Sequence, residues 1–221
     1  MRKIESKNKF VDKSSAHGMF HFDKEGILKI GGITAYMMPM ASLAIQNHLL
    51  VNYLNKKKVN DIFYYVGKIQ GIVAVRLLRD KFGVKKQIFD TILEQLAMIG
   101  LGRNEVIMFD EKNRRVILKK IISPFPELYV KIFGYQKDAI EHFHCGDIAG
   151  VLEELFGEEI IVIEKECKIQ GKSFCINEAF PRRFLHNKKL GDQEKLQIPE
   201  PEENFPELKK LKNNCTLLYL K

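Results

Sequence analysis

The chain has 221 residues, 45% of them hydrophobic, enough for one large domain with a proper core. Its 36 basic and 28 acidic residues leave a net charge of +8. Much of that excess lies in the termini and in the clusters Lys56-Lys57-Lys58, Lys85-Lys86 and Lys119-Lys120, which read as solvated surface, and no helix shows a nucleic-acid recognition pattern. No apolar run approaches the ~20 residues of a membrane helix and the basic N-terminus has no apolar signal core, so a cytoplasmic protein with reduced thiols is expected.

Residues 1–18 are polar and read as a loose arm. MFHFDKEGILKI reads as paired strands around Lys24-Glu25-Gly26. Two long helices are expected next, over about 38–56 and 60–81. Leu43, Ile45, Leu49, Leu50 and Tyr53 give the first a broad apolar face, on which His48 reads as a packed histidine. Asn60 or Asp61 can cap the second. That helix carries Gly67 and Gly71 one turn apart. A glycine inside a helix costs about 0.5–1 kcal/mol relative to alanine, so either close helix packing or room for a ligand must compensate. Tyr64 and Tyr65 beside them can serve a ligand or the edge of a core. A third helix runs over about 84–99 to Gly100-Leu101-Gly102. NEVIMFDEKNRRVILKK is a hairpin turning at Glu111-Lys112-Asn113. Pro124 and Pro126 read as breaks, and residues 127–144 stay open between strand and helix.

Three of the four cysteines fall in the stretch Cys145–Phe180. Ile148, Val151, Leu152, Leu155 and Phe156 recur at helical spacing up to Gly157, and EEIIVIEKECKI and SFCINEAF then flank a turn at Gln170-Gly171-Lys172. A hairpin turning there brings Cys167 and Cys175 across from one another, and Cys145 can close over them from the preceding helix. Three such thiols suit a tetrahedral zinc site, with His142 or His144 chemically able to supply the fourth ligand. Buried core cysteines and a Cys167–Cys175 disulfide are the other readings. After Phe180, residues 181–221 are polar and punctuated by proline, and read as a tail in which TLLYL can add an edge strand and Cys215 has no assigned role. No internal repeat, phosphate-binding loop or dinucleotide fingerprint is present in the sequence.

The pattern Cys145, Gly150, Phe156-Gly157, Glu164, Cys167, Gly171 and Cys175 resembles the C-terminal half of the 4-vinyl reductase, or hydrocarbon-binding, domain family. GILKIGGITAYMMPMASLAIQNHL and FYYVGKIQGIVAVRLL resemble its opening strand and helices more weakly, so the resemblance spans roughly residues 19–180. It implies an α/β (α+β) domain in which an antiparallel sheet of hairpins packs on long helices, related in fold to nitric-oxide-sensing haem domains and vesicle-tethering subunits. It also implies a structural zinc held by Cys145, Glu164, Cys167 and Cys175. Three thiolates and a carboxylate around Zn²⁺ leave about −2 on the ligand shell, which Lys165, Lys168 and Lys172 can offset.

The expected organisation is an arm (1–18), a 4-vinyl reductase-like domain (19–180) and a tail (181–221). The resemblance implies a zinc-stabilised module that binds a small hydrophobic or aromatic ligand, forms a homodimer and passes its signal to a partner protein. An accessory subunit of a tetrapyrrole vinyl reductase and an assembly protein of the same fold are the alternatives, the last resting on fold alone. No catalytic residues are assigned. The Lys, Glu and Ile content fits a thermophile, an archaeon or an AT-rich genome.

Overall fold

The computed structural model describes residues 20–22, 24–25, 28–30, 33–34, 38–79 and 83–219. The expected arm, residues 1–18, lies outside them. The chain divides into two compact units, Met1–Pro39 and Met40–Lys221. In the first unit, β1 (Phe20–Phe22), β2 (Leu28–Ile30) and β3 (Ile33–Thr34) form an antiparallel meander with Lys24 and Glu25 in the first turn. The paired strands are as expected, and β3 adds a third.

The second unit opens with α1 (Met40–Tyr53), α2 (Lys56–Leu78) and α3 (Lys85–Met98). All three were expected, within a few residues at each end. The cap of α2 is corrected: the Asn55 side chain, not Asn60 or Asp61, accepts the Lys58 N–H at 3.0 Å, and the helix starts four residues early. His48 is packed as expected, its ring stacked on Phe133 at 3.9 Å and its Nδ1 2.8 Å from the Tyr129 hydroxyl. Strands β4 (Arg103–Asp110) and β5 (Arg115–Ile122) form the expected hairpin, whose turn is closed by the Asp110 carboxylate accepting the Asn113 N–H.

The open stretch 127–144 is helical at its two ends, with residues 134–141 a connection between them: α4 spans Pro124–Phe133 and α5 spans His142–Phe156. Pro124 starts α4 instead of breaking the chain, because the N–H that proline lacks has no partner in a first turn. Strands β6 (Ile160–Glu166) and β7 (Cys175–Pro181) complete an antiparallel sheet of order β4-β5-β7-β6. Residues 182–219, expected as a polar tail, contain α6 (Asp192–Lys195) and α7 (Pro206–Tyr219), with Leu208 buried in the core. TLLYL lies largely in α7, which corrects the edge strand expected there.

Helix α5 is central. Ile148, Leu152 and Leu155 join Val116, Leu118, Ile160 and Val162 of the sheet in the main core. On the opposite sheet face, Ile161, Ile163 and Phe180 are covered by Leu185, Leu190 and Ile198. The unit is therefore layered: α2, α5, the sheet, and residues 185–198 over the outer face of the sheet, while α7 packs against α2. Between α2 and α5 the backbones touch. A Cβ at Gly67 would lie 2.0 Å from the Phe143 carbonyl oxygen, at Gly71 2.1 Å from that of Asp147, at Gly146 1.8 Å from that of Tyr64, and at Gly150 2.0 Å from that of Lys68. Close packing, not room for a ligand, compensates the helical glycines.

Gly150→Ala should destabilise the protein by about 3 kcal/mol or more, because backbone cannot yield as a side chain can. Gly83→Ala, with open space around it, should leave the melting temperature within a degree or two. Thermal unfolding of both variants checks this; equal stability would mean that the helix contact is dispensable.

Candidate metal centre and ligand cavity

The β6–β7 hairpin closes through a 3₁₀ turn at Lys168–Gln170 and Gly171, whose φ of 81° suits glycine. The Cys167 carbonyl accepts the Gln170 N–H at 3.0 Å, which folds the turn back on the first cysteine. Cys167 and Cys175 are fully buried with sulfurs 3.7 Å apart. That exceeds a disulfide bond but matches the roughly 3.3–3.8 Å between ligands 2.0–2.3 Å from a tetrahedral metal. Ser123 Oγ lies 3.7 Å from the Cys175 sulfur, which also accepts the Lys168 N–H at 3.4 Å.

Two carboxylates join them. Ligand atoms of Glu141, Glu164, Cys167 and Cys175 all lie within 4.8 Å of one another, and all four residues are buried. Neither carboxylate oxygen of Glu164 has a hydrogen-bond partner, nor has Oε2 of Glu141. Lys120 Nζ donates to Glu141 Oε1, in an ion pair with side chains 1% and 2% exposed. Burial, and then the Glu141 carboxylate, pushes the Glu164 pKa well above its ordinary value. The Cys167–Cys175 contact lowers the Cys175 pKa and raises that of Cys167. Two carboxylates and two thiols facing one ammonium suit a buried divalent cation, whose charge would relieve the mutual repulsion.

Three residues of the expected ligand set, Glu164, Cys167 and Cys175, are brought together. Cys145 stands outside this group and Glu141 inside it. The Cys145 sulfur accepts from Asn177 Nδ2 at 3.3 Å, and burial and the Glu164 and Glu141 carboxylates raise its pKa. His142 and His144 are buried but not in the group. Burial lowers the His142 pKa to about 4 and that of His144 well below its ordinary value, so both rings are neutral near pH 7.

Beside the carboxylates lies a cavity of about 40 Å³. Its apolar wall includes Phe63, Phe125 and Phe143, and its polar wall is Asn47, Lys120, Glu141 and His144. Asn47 Oδ1, Glu141 Oε2 and both ring nitrogens of His144 are buried without partners. Glu141 belongs to both cavity and metal group, and Lys120, its ion-pair partner, lines the cavity. Neither residue was singled out from the sequence, though both left a signal. Lys120 follows Val116 and Leu118 at strand period on the buried face of β5, so one lysine of an apparent surface cluster points inward. Glu141 lies one helical turn before Cys145, whose N–H donates to the Glu141 carbonyl at 2.9 Å.

No family model and no curated protein matches the sequence. Among solved structures, the phenol-responsive sensory domain of the transcription activator PoxR, solved with phenol, superposes with a TM-score of 0.71 at 18% identity, over 85% of this chain and 96% of that one. The chain has the fold of that sensory domain. This is the 4-vinyl reductase-like fold expected from the sequence. A vinyl-4-reductase family protein from Methanocaldococcus jannaschii (TM-score 0.45, 22% identity, 66% of this chain and 83% of that one) is also similar. So is a trafficking protein particle complex subunit 3 from Naegleria fowleri covalently bound to palmitic acid (0.44, 16%, 65% and 95%). No helix among the described residues is long and apolar enough to cross a membrane.

Asp147, one turn after His144 on α5, is buried with both carboxylate oxygens unpartnered. Burial lifts its pKa to about 7, the Lys120 charge opposing in part. The folded chain thus holds this proton more tightly than the unfolded chain. The stability it contributes is fully present below about pH 4 and is lost as pH rises through 7. Asp147→Asn cannot ionise and should gain a few kcal/mol on wild type between pH 4 and pH 8. Denaturant unfolding at the two pH values checks this, and parallel curves would show that Asp147 ionises freely in the fold.

Proposed function

We propose that the Met40–Lys221 unit is a small-molecule-binding module, with the cavity as ligand chamber and a structural zinc ion beside it. The observation that carries the ligand reading is the polar wall: buried polar atoms without partners are costly, and Asn47, Glu141 and His144, which line the cavity, hold four such atoms. Two of those atoms are acceptor oxygens, so the occupant carries O–H or N–H donors, and neutral His144 can give or take one hydrogen bond. Phe63, Phe125 and Phe143 favour an aromatic body. A small phenol meets both demands, and the fold shared with a phenol-responsive sensory domain supports that class. At about 40 Å³ the chamber is smaller than the ~150 Å³ that admits benzene, so entry of a ring goes with rotation of those phenylalanines.

Phenol added to the purified chain should raise its melting temperature. His144→Leu should weaken phenol binding about tenfold, the loss of one buried hydrogen bond, with metal content unchanged. Absence of any shift with phenol or small alkylphenols would overturn the ligand class.

For the metal, the unpartnered Glu164 oxygens and the 3.7 Å sulfur separation support zinc bound by Glu164, Cys167, Cys175 and Glu141. Four protein ligands leave no position for water, so the ion staples the hairpin to the start of α5 and adds to folding stability. This set differs from the one the family resemblance implies, which has Cys145 for Glu141. Cobalt substitution separates the two: two thiolate ligands should show in the charge-transfer absorption, and Glu141→Gln should weaken Co²⁺ at least ~100-fold while Cys145→Ser weakens it much less. Three-thiolate absorption lost in Cys145→Ser would restore the family set.

Reduced thiols at this centre fit a cytoplasmic setting. Exposed Ile45, Leu49 and Tyr53 on α1, with Ile62 and Val66 on α2, support the homodimer part of the proposal. A partner protein for signal output remains part of the same reading.

A further inference from the structure

Strand β6 is an edge of the four-stranded sheet, and at Glu164 a side chain takes the place of the missing neighbour strand. The Glu164 N–H donates to Gln197 Oε1 at 2.6 Å, and Gln197 Nε2 donates to the Glu164 carbonyl at 2.9 Å. One primary amide thus supplies the acceptor and donor that a strand would supply. Gln197 is buried. The residue whose backbone it grips places its carboxylate among Glu141, Cys167 and Cys175. On the other side of β6, the register with β7 shifts between Glu164 and Glu166. Gln197 therefore holds the strand where regular pairing lapses.

The segment that carries Gln197 is anchored on both sides of it. Before it, Glu194 of α6 pairs with Lys165 of β6. After it, Arg182 Nη2 donates to the Pro199 carbonyl at 3.0 Å and the Tyr65 hydroxyl donates to the Glu200 carbonyl. Lys68, fully buried on α2, sits 2.7 Å from Glu202 and 2.6 Å from Glu153 of α5, and Lys212 of α7 reaches the same two carboxylates. Residues 192–212 thus connect a candidate metal ligand to the α2–α5 pair.

We infer that Gln197 is a positioning residue for Glu164, and that residues 192–212 form the element through which metal occupancy is passed to the α2–α5 pair. This rests on the metal reading above. A metal that fixes the Glu164 carboxylate also fixes the backbone the amide grips, so it favours the docked segment. By linkage the docked segment favours the metal by the same factor. Hydrogen-bond partners of metal ligands have this kind of effect, about 10–100-fold in affinity.

The test uses the full chain, with Co²⁺ titration for affinity and backbone hydrogen exchange with and without Zn²⁺. In wild type, Zn²⁺ should slow exchange across 192–212. Gln197→Ala should lower Co²⁺ affinity about tenfold and abolish the Zn²⁺-dependent protection of the segment. Glu194→Ala, which cuts an anchor of the same segment but leaves the Glu164 backbone bonds in place, should keep wild-type Co²⁺ affinity. Wild-type affinity in a folded Gln197→Ala protein, or exchange in the wild-type segment that ignores Zn²⁺, overturns the inference while the metal reading stands. Should Gln197→Ala fail to fold, the wild-type exchange result decides alone. A wild-type chain that binds neither ion overturns the metal reading and this inference with it.

Discussion

The direct contact of the α2 and α5 backbones is the constraint from which the rest of the Met40–Lys221 unit follows. Four glycines interleave, two from each helix, and each faces a carbonyl oxygen of the other helix across a gap that no Cβ could enter. Such proximity permits Cα–H···O contacts and dense packing, which offset the helix-weakening cost of glycine. With α5 held this close to α2, its apolar residues meet the sheet, and its first turn is carried to the β6–β7 hairpin. Glu141 and His144 then face the cavity, and Glu141 meets Glu164 and the two hairpin cysteines. A methyl group in the glycine seam would therefore be felt at the site as well as in stability.

The second constraint is electrostatic. The interior beside α5 contains Lys120, Glu141, His144, Asp147 and Glu164, all buried, and several of their polar atoms have no protein partner. A fold selected for stability alone would place apolar groups here. Burial shifts these groups towards their neutral forms, as in His142, His144, Asp147 and Glu164, and each shift records a demand for a partner. A divalent cation among the carboxylates and thiols, and a hydrogen-bonding ligand in the cavity, would answer those demands from two sides.

What could be read in the sequence was local. The three long helices, both hairpins of the larger sheet and the convergence of Cys167 and Cys175 follow from period, turn residues and spacing. Helix α4 was hidden because Pro124 and Pro126 look like breaks, whereas proline fits a first helical turn. The C-terminal segment was hidden by its polarity. Its apolar contacts are isolated residues such as Leu190, Ile198, Phe205 and Leu208 among ion pairs to Lys68 and the amide of Gln197, so no periodic apolar stripe marks it in the sequence. The glycine seam was half legible: Gly67 and Gly71 were visible as a pair, but nothing in one sequence says that Gly146 and Gly150 are their counterparts. Lys120 was missed because a lysine pair reads as surface, and Glu141 because a lone carboxylate does too; only the tertiary pairing of the two shows that both are buried.

Glu141 joins the two halves of the site. Its carboxylate accepts from Lys120, lies within ligand distance of the thiol pair and lines the cavity. Its two oxygens cannot satisfy an ammonium, a metal and a ligand donor equally, so the three would compete. A metal that takes Glu141 weakens its hold on Lys120 and leaves the ammonium freer to face the cavity. A ligand hydroxyl that donates to Glu141 draws electron density from the metal bond. On the proposed reading the aromatic wall would govern which bodies enter, since about 40 Å³ holds roughly three waters and no ring until a phenylalanine turns. On the proposed reading, size selection and charge coupling would thus be carried by different residues of one chamber, and a substitution in the phenylalanine wall would alter ligand choice without disturbing the carboxylate shared by the cavity and the candidate metal group.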